Sequence, residues 1–161
     1  MTSALGSLCA LLYLASAWAL GRRLKHGEGG AVPSAITALA AVAIIAHAGV
    51  LYQTVFTELG LNLGLFNAAS LIGWVIAMLT LATAHSRSVD SLGLFVLPLA
   101  AFAVILAQVF PAESPVGAAL GIGVQVHIAV SVIGYSALAL AAIQAVLVWI
   151  QDRALRAKSH G

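Results

Sequence analysis

Five long apolar runs fill this chain, and every charged side chain lies in the polar stretches between or after them. The runs predict helices over residues 2–20, 33–55, 64–84, 92–110 and 121–151. Each has at least about the 20 residues that an α-helix needs to cross the hydrocarbon core of a bilayer. A membrane β-barrel would show short segments alternating between polar and apolar residues, and this chain does not alternate. The pattern reads as an all-α fold, a polytopic transmembrane helix bundle of five spans, with residues 1–161 as a single transmembrane domain. Pro33 opens the second span, where its fixed φ suits a first helical turn. Pro98 falls inside the fourth and predicts a kink, which membrane helices tolerate.

Composition excludes the soluble alternatives. The 161 residues are 62% hydrophobic and 7% charged, with a mean hydropathy of +1.08, outside the range of soluble domains. The single cysteine, Cys9, excludes an intrachain disulfide and a cysteine metal cluster. So few basic residues make nucleic acid a poor partner, and the lipid bilayer is the expected one.

The placement of charge says more than its amount. Arg22, Arg23 and Lys25 follow span one, Arg87 follows span three, and Arg153, Arg156 and Lys158 follow span five. All seven basic residues therefore fall on one side, which the positive-inside rule makes cytoplasmic. The expected topology has the N-terminus outside and the C-terminus in the cytoplasm. No basic region precedes Ala4, so span one is expected to be a retained helix and not a cleaved signal. Trp18 and Trp149 sit where interfacial anchors belong. His26, His85 and His160 fall on the cytoplasmic side and read as solvated.

The candidate chemistry lies within the spans. An ionisable residue inside hydrocarbon-length apolar sequence is by default a candidate for function, and there are two: His47 in AVAIIAHAGVLY and His127 in GIGVQVHIAVSVIGY. His127, Ser131, Gly134 and Tyr135 are spaced i, i+4, i+7 and i+8, on one helix face. With the topology above, His47 and His127 lie ~12 Å and ~8 Å below the outer surface at about 1.5 Å per residue. Gln53, Thr54, Asn67, Ser70, Gln108, Gln125 and Ser131 share that outer layer, and Asn67, Ser70 and Trp74 fall on one face of span three. Two neutral imidazoles from different helices can hold a metal or a haem iron. Zinc usually takes three or four protein ligands, and no carboxylate or thiol joins this layer. Haem fits a two-ligand site better, because the porphyrin supplies four nitrogens. Small residues beside both histidines, Ala40 and Ala43 on one side and Gly123 and Gly134 on the other, would leave room for it. The expected packing sets spans two and five side by side, with His47 facing His127. Plainer roles stay open: either histidine can hydrogen-bond a neighbouring helix, Asn67 can join helices or line a pocket, and Tyr135 can pack or border a cofactor. There is no phosphate loop, Ser-His-Asp arrangement or paired intramembrane carboxylate to indicate an ATPase or hydrolase.

The segment VQVHIAVSVIGYSALALAAIQAVLVWIQDRALR resembles the His-x-x-x-Ser-x-x-x-Tyr helix of the cytochrome c assembly family, the CcsA, CcmC and HemX type. AHAGVLY resembles the family's earlier histidine helix, and NLGLFNAASLIGW the opening of its next helix. The resemblance runs in order along the chain and is nearest to the YpjD-like inner-membrane proteins. It implies a multi-pass protein of the bacterial inner membrane that handles haem at the outer face during cytochrome c assembly. His47 and His127 take the positions of family histidines that are candidates for haem ligation, with Asn67, Ser70, Trp74, Ser131 and Tyr135 as candidate pocket lining. Haem-presenting members carry a tryptophan-rich W-G-x-x-W-x-W-D segment in an outer loop, which this chain and the YpjD-like proteins lack. Such proteins usually continue with about three more helices, so this chain resembles their N-terminal five.

The expected activity is binding and transfer, not enzymatic bond chemistry. The expected cofactor is haem b, since no Cys-x-x-Cys-His offers covalent attachment. Expected partners are other cytochrome c maturation proteins or apocytochrome. The alternatives are a b-type electron carrier and an accessory subunit of a membrane transporter.

Overall fold

In hydrocarbon no water is available to the backbone, so each segment must satisfy its own N–H and C=O groups, and helix does so within the segment. The computed structural model describes residues 2–28, 32–58, 60–84, 90–111, 115–117 and 121–159. Five helices run through it: α1 (Thr2–Lys25), α2 (Ser34–Val55), α3 (Leu65–Ala84), α4 (Asp90–Val109) and α5 (Ile122–Ser159). All five are long and apolar enough to cross a membrane, and the protein is a multi-pass membrane protein built as a helix bundle. α4 passes through Pro98 without interruption. α1 and α5 outrun their apolar cores into basic sequence, where Lys and Arg complement the negative end of the helix dipole. At 38 residues, α5 is about 57 Å long, well beyond the ~30 Å of hydrocarbon.

Two of the connecting stretches are not plain loops. β1 (Phe56–Thr57), β2 (Gly60–Asn62) and β3 (Pro115–Gly117) form a small antiparallel sheet in that order. Phe56 pairs with Leu61, and Leu61 with Val116. Gly60 turns the hairpin at φ 119°, a conformation open to glycine, and Thr57 Oγ1 donates to its carbonyl at 2.7 Å. The sheet joins the stretch after α2 to the stretch before α5. Strands of two and three residues are too short to leave an alternating pattern, so the sequence offered no sign of them.

The core lies among α1, α2, α3 and α4, and α1 packs most extensively against α4. Cys9, Tyr13, Ala17 and Leu20 on α1 meet Leu92, Val96, Ala100 and Val104 on α4, with Ala43 and Ile44 from α2 and Ile76 and Ala77 from α3. Small residues set the approach of the helices, as is usual where lipid is as apolar as the core. A side chain on Gly6 would run into the Gln108 carboxamide, and a Cβ on Gly73 would sit 3.4 Å from that of Ala103. α5 stands apart. It packs on α3 and more lightly on α4, and its most apolar window is 6% buried against 33–50% for the other four spans.

Candidate functional site

His47 is fully buried on α2. Its Nδ1 hydrogen-bonds the Tyr13 hydroxyl of α1 at 3.1 Å, and its Nε2 hydrogen-bonds Ser70 Oγ of α3 at 2.9 Å. The Tyr13 ring stands edge-on to the imidazole, with centroids 5.7 Å apart. One turn earlier on α2, Cys9 Sγ of α1 donates to the Ala43 carbonyl at 3.4 Å, and Trp74 Nε1 of α3 donates to that of Ile44 at 2.9 Å. Asn67 Nδ2 donates to the carbonyls of Thr54 and Asn62, both at 3.3 Å, fastening the end of α2 and the hairpin to the start of α3. Asn67, Ser70 and Trp74 share a face, and that face is directed at α2. They bond α2 and the hairpin at these positions.

His127 has the opposite surroundings. Its side chain is exposed on α5 and makes no hydrogen bond to another described residue. The docking of α5 explains this. Ser136 is fully buried, with Oγ donating to Val132 O at 2.6 Å and lying 3.5 Å from Ile72 O of α3. Nine residues at about 100° each place Ser136 half a turn around the helix from His127. His127 therefore points away from the bundle. Gly123 and Gly134 lie on its side with nothing within 4 Å of a built Cβ. Tyr135 is 65% exposed, and Ser131 is half-buried.

The expected pairing of spans two and five does not occur. α5 docks on α3 and α4, so His47 and His127 are not brought together, and a site shared between them is not assembled within this chain. Neither of them lines the cleft of about 300 Å³ between α3, the hairpin and α5, whose walls include Leu61, Leu71, Val75, Gln125 and Val132. An axial haem ligand offers one ring nitrogen to iron while the other donates a hydrogen bond. The His47 ring has both nitrogens engaged and is fully enclosed, so its surroundings do not fit that role. The His127 imidazole, by contrast, is exposed, and neither ring nitrogen is bonded to another described residue. His26 is exposed beyond the end of α1, and His85 and His160 lie outside the described residues.

Tyr13 has no place in the sequence-based site, and Cys9 enters it only as a lone thiol; neither bonding role is foreseen. A phenol hydroxyl in mid-span was the available signal, because a buried Tyr O–H usually needs a partner. Ser136 was not singled out either, because nothing in the apolar pattern of α5 marks its inward side.

A family model described as cytochrome C assembly protein matches residues 35–161. Among curated proteins, an uncharacterized 28.8 kDa protein in a nifR3-like 5'region of Azospirillum brasilense is 45% identical over 64 residues. That match covers 40% of this chain and 23% of the relative, so it spans under a quarter of that protein's length. No solved structure matches.

Proposed function

Since the chain belongs to the cytochrome c assembly protein family, we propose that it handles haem in the biogenesis of cytochrome c, with His127 as its haem-facing imidazole. The observation that carries this reading is an intramembrane histidine on the open face of α5, opposite the face docked through Ser136. Haem, if bound, would supply an iron that takes a nitrogen donor. His127 has a free ring to give it, and Gly123 and Gly134 keep the adjoining surface low. Groups outside this face complete the site. The role is binding and transfer, with haem b as the cofactor and maturation proteins or apocytochrome as partners. The location is the bacterial inner membrane, with the N-terminus and His127 toward the outer side.

The test is the absorption spectrum of the detergent-purified chain after reconstitution with haem. His127→Ala should lose the axial-nitrogen signature, while His26→Ala should leave it unchanged. Uptake of no haem by the intact helical chain would reject the reading. Orientation has its own check in intact cells. Glu58→Cys should react with an impermeant thiol reagent from outside and Arg156→Cys should not, with buried Cys9 silent; the reverse pattern would move His127 to the cytoplasmic layer.

A further inference from the structure

We infer that the two intramembrane histidines have separate roles: His47 is a fixed joint locking α1 and α3 onto α2, and His127 alone is left to meet a ligand. The second half rests on the haem-handling reading; the first stands on geometry alone.

A neutral imidazole has one donor and one acceptor nitrogen. Tyr13 and Ser70 each offer a hydroxyl, which can give or receive a proton. With either tautomer both ring nitrogens are satisfied at 3.1 and 2.9 Å. The acceptor lone pair, the only one a metal could use, is spent on a hydroxyl. A turn of α2 that freed the ring would also break the bonds from Cys9 and Trp74 to the carbonyls of Ala43 and Ile44. Four interhelical hydrogen bonds, two from each neighbouring helix, thus hold α2 at one level. Two of them come from α1, which lies before the segment matched by the family model. α1 therefore closes over His47 and removes it from the surface available to ligands.

The experiment uses the full chain in detergent, first without haem. Tyr13→Phe, Ser70→Ala and His47→Leu should each lower the thermal midpoint, by roughly 2–4 °C for the single hydroxyl losses. The double variants Tyr13→Phe/His47→Leu and Ser70→Ala/His47→Leu should fall short of the sum of their singles, because the shared partner is already gone. Strict additivity of both pairs would overturn the joint. Then haem is added to His47→Gln, whose amide keeps a donor and an acceptor while removing the imidazole. Its haem spectrum should match that of the unsubstituted chain. A lost or altered spectrum with helix content and midpoint preserved would overturn the separation of roles, leaving the haem reading intact. If the unsubstituted chain takes up no haem, the proposed function and the assignment of His127 fail, while the unloaded series still decides the joint.

Discussion

The four-helix core and α5 are equally apolar and differently used. The mean hydropathy of the most apolar window is 2.0 in α5, inside the range of 1.6 to 2.4 spanned by the other four, yet the share of it buried is several-fold smaller. In the core, polar groups point inward and find one another: Tyr13, His47 and Ser70, Trp74 and Ile44, Cys9 and Ala43. On α5 Ser136 does so, while His127 and Tyr135 point outward. Hydropathy thus decides which segments cross the membrane and leaves open which of them become interior. In lipid the second step is decided by small residues, which permit close approach, and polar ones, which reward it.

The largest effect should come from the same substitution made in both regions. Leucine at Gly73 would extend from a Cβ already 3.4 Å from Ala103 Cβ and 3.6 Å from the Ala100 backbone. Such overpacking costs about 1–3 kcal/mol. Gly134→Leu meets open space and should stay within about 0.5 kcal/mol. Thermal unfolding in detergent measures both. Equal losses would mean that the outward face of α5 is covered in the purified protein, and the contrast between the regions would be gone.

The hold of α5 on the core is a smaller quantity and can be tested separately. Ser136→Leu places a large side chain where Oγ now sits 3.5 Å from the Ile72 carbonyl. A docking loss of about 1.4 kcal/mol corresponds to tenfold in the open population. Cysteine at position 72 should then react roughly tenfold faster with a membrane-soluble thiol reagent when Ser136→Leu is also present. The four-helix core should keep its melting midpoint. A fall in that midpoint as large as for Gly73→Leu would show α5 to be integral to the core.

These contrasts mark what could be read from sequence. The five spans were legible because a backbone in hydrocarbon has to be helical, and length with hydropathy then suffices. The shared face of Asn67, Ser70 and Trp74 was legible from spacing, as was that of His127, Ser131, Gly134 and Tyr135. The direction of each face was not legible. A helix that is apolar all round has no core side in its pattern, so nothing marked Ser136 and not His127 as the inward residue. His47 and Ser70 do meet, 2.9 Å apart, but Tyr13 went unseen inside an apolar run. The haem-ligand candidates were chosen for their residue type and depth, and neither property records whether a ring nitrogen is already taken.

Asn67 tests the outer edge of the core. Its amide donates to Thr54 and Asn62 carbonyls, each bond being worth about 0.5–1.5 kcal/mol net. Asn67→Leu should lower the midpoint by a few degrees at about 2–4 °C per kcal/mol. It should also speed hydrogen exchange of the β1–β2 hairpin more than that of α4. Uniform acceleration along the chain would assign Asn67 to the global core and not to the hairpin.

The smallest effect belongs to a motif that occurs once in each region. Arg22 lies over the Trp18 ring at 5.0 Å and Arg153 over the Trp149 ring at 4.9 Å, both pairs one turn apart on their helices. The local chemistry is the same, a cation over an indole face, worth about 0.5–1 kcal/mol at exposed sites. Any difference between the two substitutions therefore reports on the surrounding region and not on the pair. α1 is packed into the core, so loosening its end is coupled to global unfolding, and Arg22→Gln should lower the midpoint by about 1–4 °C. α5 is coupled to the core through its docked face, and residues 151–156 around Arg153 are exposed. Arg153→Gln should leave the midpoint unchanged and instead raise hydrogen exchange in the last turns of α5, where local opening is independent of the global transition. If Arg153→Gln lowered the midpoint as much as Arg22→Gln, the end of α5 would be bound to the bundle, and the view of α5 as an appended, open-faced helix would have to be abandoned.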